Sequence, residues 1–64
     1  MRLEEIRKKK GLSQEDLARK LDVKQNTVSQ WEKGKRNPSL PMLLNIAKIL
    51  ECSIGDLVQE QESA

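Results

Sequence analysis

A chain of 64 residues has room for one domain and one small core. It contains no His and a single Cys, Cys52, which excludes an intramolecular disulfide and a zinc site of the usual Cys/His kind, so helix packing or self-association must supply the stability. Net charge is only +2, but residues 1–38 hold eleven Lys and Arg against six acids and residues 39–64 hold one Lys against four, so any attraction for a polyanion is concentrated in the first part.

The apolar spacing predicts five helices and no strands. The first covers residues 2–10, with Leu3 and Ile6 three apart on an inward face and Gly11 as its stop. Ser13 caps the second: its hydroxyl is placed to accept from the Asp16 N–H, Glu15 and Asp16 suit the positive end of the helix dipole, and Leu17, Ala18 and Leu21 form the apolar stripe. In the turn that follows, Asp22 is the residue best able to take a positive φ. The third helix covers residues 25–33, with Val28 and Trp31 facing inward, and Gly34 ends it. The spacing of Trp31 from Val28 assigns the indole to the core and not to stacking on a base.

A short basic loop, Gly34-Lys35-Arg36-Asn37-Pro38, leads to Ser39, which caps a fourth helix over residues 40–50. Pro41 is tolerated in its first turn, and Leu43, Ile46, Ala47 and Leu50 make its stripe. Ser53 and Asp56 have capping-box spacing and open a short fifth helix bearing Ile54, Leu57 and Val58. Cys52 reads as a small buried residue ahead of that cap. The domain is expected to occupy residues 1–58, with residues 59–64 frayed and no separate oligomerisation domain. Apolar runs such as Met42-Leu43-Leu44 are far too short to span a bilayer, and the basic N-terminus lacks a secretory apolar region; a soluble, cytoplasmic protein is expected.

The third helix carries an unusual polar face. Gln25, Asn26, Ser29 and Gln30 are all uncharged, although 34% of the chain is charged and a solvated helix face would be expected to carry Lys and Glu. Side-chain amides suit a surface that presents its own paired donors and acceptors, such as the edge of a base pair. Gln30 lies four residues after Asn26 and shares its face. Thr27 suits a thymine methyl or a phosphate. Gln14, in the first turn of the second helix, lies where free N–H groups and the dipole favour an anion. Lys24 precedes the third helix, and Lys35, Arg36 and Asn37 follow it, so these residues are placed to straddle a groove.

The strings Gly11-Leu12-Ser13-Gln14-Glu15-Asp16-Leu17-Ala18 and Val28-Ser29-Gln30-Trp31-Glu32-Lys33-Gly34-Lys35-Arg36-Asn37-Pro38-Ser39-Leu40 resemble the Cro/repressor-type (Xre-like) helix-turn-helix family of small bacterial and phage regulators. The likeness runs from Arg2 to about Val58. It implies an all-α, five-helix bundle of the lambda-repressor-like type, with helices two and three forming the helix-turn-helix. By the same resemblance Gln25, Asn26 and Gln30, with Thr27 and Ser29 beside them, match positions that read bases, Gln14 matches a position that anchors the DNA backbone, and Arg7 and Glu32 match a partly buried ion pair joining the first and third helices. The family's turn commonly has Gly where this chain has Asp22.

The expected function is sequence-specific binding of double-stranded DNA by a bacterial or phage-encoded, nucleoid-associated transcriptional regulator, a repressor acting as a homodimer on a palindromic operator, the dimer forming alone or only on DNA. No cofactor, metal or small-molecule ligand is expected. Catalysis finds no inventory: no His, no nucleophile with a base beside it, and no Gly-rich phosphate loop. The alternative is a protein-interaction module that uses apolar residues of the last two helices, around Leu40, Met42, Leu44 and Ile54, to hold a partner such as a toxin or another regulator.

Overall fold

Each helix begins and ends where the sequence supplies a cap or a break. In the computed structural model, which describes residues 1–58, α1 spans Leu3–Lys9, α2 Gln14–Leu21, α3 Gln25–Glu32, α4 Leu40–Leu50 and α5 Ile54–Val58, and no strand occurs among the described residues. The tail expected to fray, residues 59–64, lies outside the described residues. Arg2, Lys10 and Lys33, expected inside helices, are the flanking cap residues of α1 and α3.

Ser13 caps α2 more completely than expected. Its Oγ accepts from the Asp16 N–H at 2.9 Å, and the Asp16 carboxylate accepts from the Ser13 N–H at 3.0 Å, so two N–H groups that the helix leaves open are satisfied reciprocally. Those bonds from Ser13 hold the Asp16 carboxyl below its ordinary pKa. Ser39 caps α4 through the Met42 N–H at 3.3 Å, and Ser53 Oγ accepts from the Asp56 N–H at 3.0 Å, the half of the expected box that is formed.

Asp22 takes φ 60° at the end of α2, which turns the chain so that the Val23 N–H reaches the Ala18 carbonyl at 2.9 Å. A second left-handed residue, Glu51 at φ 54°, closes α4 in the same way, with the Cys52 N–H on the Ala47 carbonyl at 3.0 Å. Sequence gave no warning of it, since neither Gly nor Asn stands there. The Glu51 carboxylate accepts from Lys10 Nζ at 2.7 Å, a contact between chain segments 41 residues apart that ties the end of α1 to the end of α4.

Leu3, Leu17, Val28, Ile46, Leu50 and Leu57 are fully buried, one or two from every helix, and Ala18, Leu21 and Trp31 complete the cluster. A buried aliphatic side chain of this size contributes roughly 1.5–3 kcal/mol relative to exposure, and the core of so small a domain has few of them. α2 packs most extensively on α3, and Ala18, only 3% exposed, keeps that crossing close. Leu43 and Cys52 are half-buried against the cluster, and burial pushes the Cys52 thiol above its ordinary pKa. The Arg2 N–H donates to the Leu57 carbonyl at 2.9 Å and brings the start of the chain against α5. No helix among the described residues is long and apolar enough to cross a membrane.

Candidate nucleic-acid interface

The α2–turn–α3 unit fixes where the polar residues of α3 stand. Val28 and Trp31 anchor the inner side of α3, so the side chains between and ahead of them must face outward or toward α2. Gln25 and Asn26, in the first turn, are exposed; Thr27, Ser29 and Gln30 are half-buried along its flanks. Lys24, the residue that opens α3, has extended backbone and no side-chain cap, leaving the first N–H groups of α3 unoccupied by a side chain.

A polar chain links these residues to a buried ion pair. Arg7 Nε donates to Glu32 Oε2 at 2.6 Å and Arg7 Nη2 to Glu32 Oε1 at 3.2 Å, a two-pronged pair whose side chains are 7% and 4% exposed. Arg7 Nη1 also donates to the Leu12 carbonyl at 2.7 Å, which ties the α1–α2 link to the same guanidinium. The hydrogen bond from Arg7 to Glu32 raises the Arg7 pKa above its ordinary value, so the charge is permanent at any pH the fold survives. Gln14 Nε2 donates to Glu32 Oε1 at 2.9 Å, and Gln25 Nε2 donates to Gln14 Oε1 at 3.5 Å, a long and weak bond. Gln25 and Glu32 lie seven residues apart, two turns of α3, and Gln14 bridges them from α2.

Positive charge is distributed unevenly around this surface. On α1 and α2 some cations are matched, Lys8 with Glu4 at 3.0 Å, Lys10 with Glu51 at 2.7 Å and Arg19 with Glu15 at 3.4 Å, whereas Lys9 and Lys20 are exposed and form no ion pair among the described residues. Lys24, Lys35 and Arg36 are exposed and form no ion pair among the described residues. The loop after α3 is held against it, because the Lys35 and Arg36 N–H groups both donate to the Gln30 carbonyl, at 3.0 and 3.3 Å, with Gly34 at φ 76° making the turn. Lys35 and Arg36 are therefore fixed at one end of α3 and Lys24 at the other. Asn37 is exposed in the same loop.

The exposed amides of α3 thus stand between Lys24 at one end of the helix and Lys35 and Arg36 at the other. The family resemblance marks Glu32 only as the partner of Arg7, and nothing in the sequence links it to Gln14. Gln14 and Glu32 are 18 residues apart on different helices, and no local periodicity reports a contact of that kind. Of the apolar residues considered for a protein partner, Leu40 and Leu44 are exposed, at 64% and 53%, whereas Met42 packs on the core and Ile54 is half-buried.

The helix-turn-helix family model matches residues 3–57. An uncharacterized HTH-type transcriptional regulator of Archaeoglobus fulgidus is 45% identical over 56 residues, which cover 88% of this chain and 80% of that protein. The cryptic phage CTXphi transcriptional repressor RstR of Vibrio cholerae is 31% identical over 62 residues, 97% of this chain and 56% of that protein. The HTH-type transcriptional activator BcrR of Enterococcus faecalis is 36% identical over 61 residues, 95% of this chain and 30% of that protein. The matched span takes in every helix and the turn that positions the α3 amides; the chain belongs to the helix-turn-helix family of DNA-binding transcriptional regulators.

Proposed function

We propose that this regulator lays α3 in the major groove of a specific operator and represses transcription there. Gln25, Asn26 and Gln30 read base edges, with Thr27 and Ser29 beside them. Gln14, Lys24, Lys35, Arg36 and Asn37 hold phosphates. The observation that carries this reading is the exposed amide pair Gln25 and Asn26 standing between unpaired Lys24 and unpaired Lys35 and Arg36. An amide can satisfy adenine N6 and N7 together, while cations flanking a groove bind any sequence. Residues 1–58 are the DNA-binding domain, and the site of action is the cytoplasmic nucleoid.

Repression is favoured over activation because a protein seated in a promoter groove blocks polymerase without any further contact.

The operator is palindromic and the active species a homodimer. An eight-residue recognition helix is about 12 Å long and reaches only a few base pairs, too few for a unique site. Exposed Leu40, Leu44 and Val58 are apolar surface available to a second copy.

Titration against duplex DNA at several salt concentrations tests the reading. The three cations of that set, Lys24, Lys35 and Arg36, predict a log affinity that falls linearly with log salt with a slope of about three per bound protomer; a slope near zero rejects it. Sedimentation with and without a palindromic duplex tests the dimer, and a monomer under both conditions rejects that part.

A further inference from the structure

The polar chain Arg7, Glu32, Gln14, Gln25, which runs from a buried ion pair through half-buried Gln14 to exposed Gln25, has a direction. Glu32 is a carboxylate held from one side by Arg7 and nearly sealed from water, so it offers only acceptors to Gln14. Gln14 must turn its NH2 group toward Glu32, because its amide oxygen there would face a carboxylate oxygen in a poorly screened setting. That leaves Gln14 Oε1 facing Gln25, which in turn must direct an N–H toward it. Gln25 then has one N–H and its Oε1 left for a ligand. One donor beside one acceptor is the pattern that complements adenine, whose major-groove edge presents the N7 acceptor and the N6–H donor; guanine presents two acceptors, N7 and O6.

We propose that Glu32, fixed by Arg7, is a specificity-determining positioning residue: through Gln14 it sets the orientation of the Gln25 amide and so biases that position toward adenine over guanine. The proposal rests on the reading of Gln25 as a base-contacting residue. Glu32 itself does not touch DNA. In Glu32→Gln the new amide would keep its oxygen on Arg7 and turn its NH2 toward Gln14. Gln14 would reverse and donate to the Gln25 oxygen, and Gln25 would face the groove with two N–H donors and one remaining lone pair, so that guanine becomes at least as acceptable as adenine.

The test begins with the full chain and a selection from randomised duplexes, followed by competition binding of duplexes differing at single base pairs. The position served by Gln25 is the one at which Gln25→Ala abolishes discrimination. There the wild type should prefer adenine over guanine roughly ten- to hundredfold. Glu32→Gln should reduce that ratio to within about threefold or invert it, with discrimination at the other positions retained. Because Glu32→Gln can fail to fold, Gln14→Met serves as the second variant: it leaves the Arg7–Glu32 pair intact and should lose the same ratio at the same position.

A purely structural role for Glu32 would lower affinity for all duplexes together and leave the ratio unmoved. If Gln25→Ala changes discrimination at one position while Gln14→Met, and any folded Glu32→Gln, keep the full ratio there, the proposal is overturned and the base-reading role stands. If Gln25→Ala alters no position, the base-reading role fails and the proposal fails with it. In the free wild-type protein, the side-chain 15Nε2 groups of Gln14 and Gln25 should be more ordered than the Asn26 amide. Equal mobility of all three would also overturn the proposal.

Discussion

Replacing Arg7 with Met removes one partner of the only buried ion pair among the described residues and should come close to unfolding the protein. The guanidinium makes three hydrogen bonds, two to Glu32 at 2.6 and 3.2 Å and one to the Leu12 carbonyl at 2.7 Å, and the Glu32 side chain is only 4% exposed. Its loss leaves a buried carboxylate uncompensated, at a cost of about 3–5 kcal/mol. A domain of 64 residues has a total stability of roughly 3–10 kcal/mol at the usual value per residue. The loss is therefore comparable with the whole stability at the lower end of that range.

Urea unfolding followed by far-UV circular dichroism measures the effect as a fall in the midpoint with little change in slope. The double variant Arg7→Met with Glu32→Leu should recover most of the loss, because an apolar pair of similar volume carries no desolvation penalty and Gln14, half-buried, can turn to water. A cost below about 1 kcal/mol for Arg7→Met, or a double variant no more stable than the single one, would refute the argument that the buried charge is what matters.

Three further outcomes follow from the fold and its surface. Ala18→Leu should cost about 1–3 kcal/mol in urea unfolding, because Ala18 is 3% exposed in the cluster that joins α2 to α3 and has no space for a larger side chain. Asp22→Gly should hold or slightly raise the melting temperature and Asp22→Val should lower it, since φ 60° costs an L-residue about 1–2 kcal/mol and a β-branched one most of all. Acid should destabilise the fold through Glu4, Glu5, Asp16 and Glu51, whose pKa values are lowered by hydrogen bonds from Lys8, Arg2, Ser13 and Lys10 respectively. A carboxylate with a lower pKa folded than unfolded contributes stability that is fully present above its ordinary value, about 4, and lost as pH falls through the folded value. Thermal melts from pH 7 down to pH 2 should therefore show a plateau and then a decline beginning near pH 4.

Local signals carried most of the fold. Ser13, Ser39 and Ser53 announced three helix starts, Gly11 and Gly34 two stops, and the three- and four-residue apolar spacing placed Leu17, Val28, Trp31, Ile46 and Leu50 inside. Asp22 was legible as a left-handed turn because Asp tolerates that geometry; Glu51 was not, because Glu carries no such preference and the turn shows only in the bond from the Cys52 N–H to the Ala47 carbonyl that closes α4. The same limit applies to the candidate site. The polar face of α3 stood out by its lack of charge, whereas the link from Glu32 through Gln14 to Gln25 depends on how two helices cross, which a linear pattern does not encode. The pairing of Lys8 with Glu4 is an i,i+4 contact that the helical period encodes, whereas that of Lys10 with Glu51, 41 residues away, emerges only in three dimensions.

The division of labour along α3 is tested most directly by the affinities of Asn26→Ala and Lys35→Ala for a panel of duplexes that differ at single base pairs. Asn26→Ala should relax discrimination at one base pair by roughly 1–3 kcal/mol and leave the others alone. Lys35→Ala should weaken every duplex by a similar factor and reduce the slope of log affinity against log salt by about one. A ranking of duplexes unchanged by Asn26→Ala, or reordered by Lys35→Ala, would contradict the assignment of bases to the amides and phosphates to the basic ends.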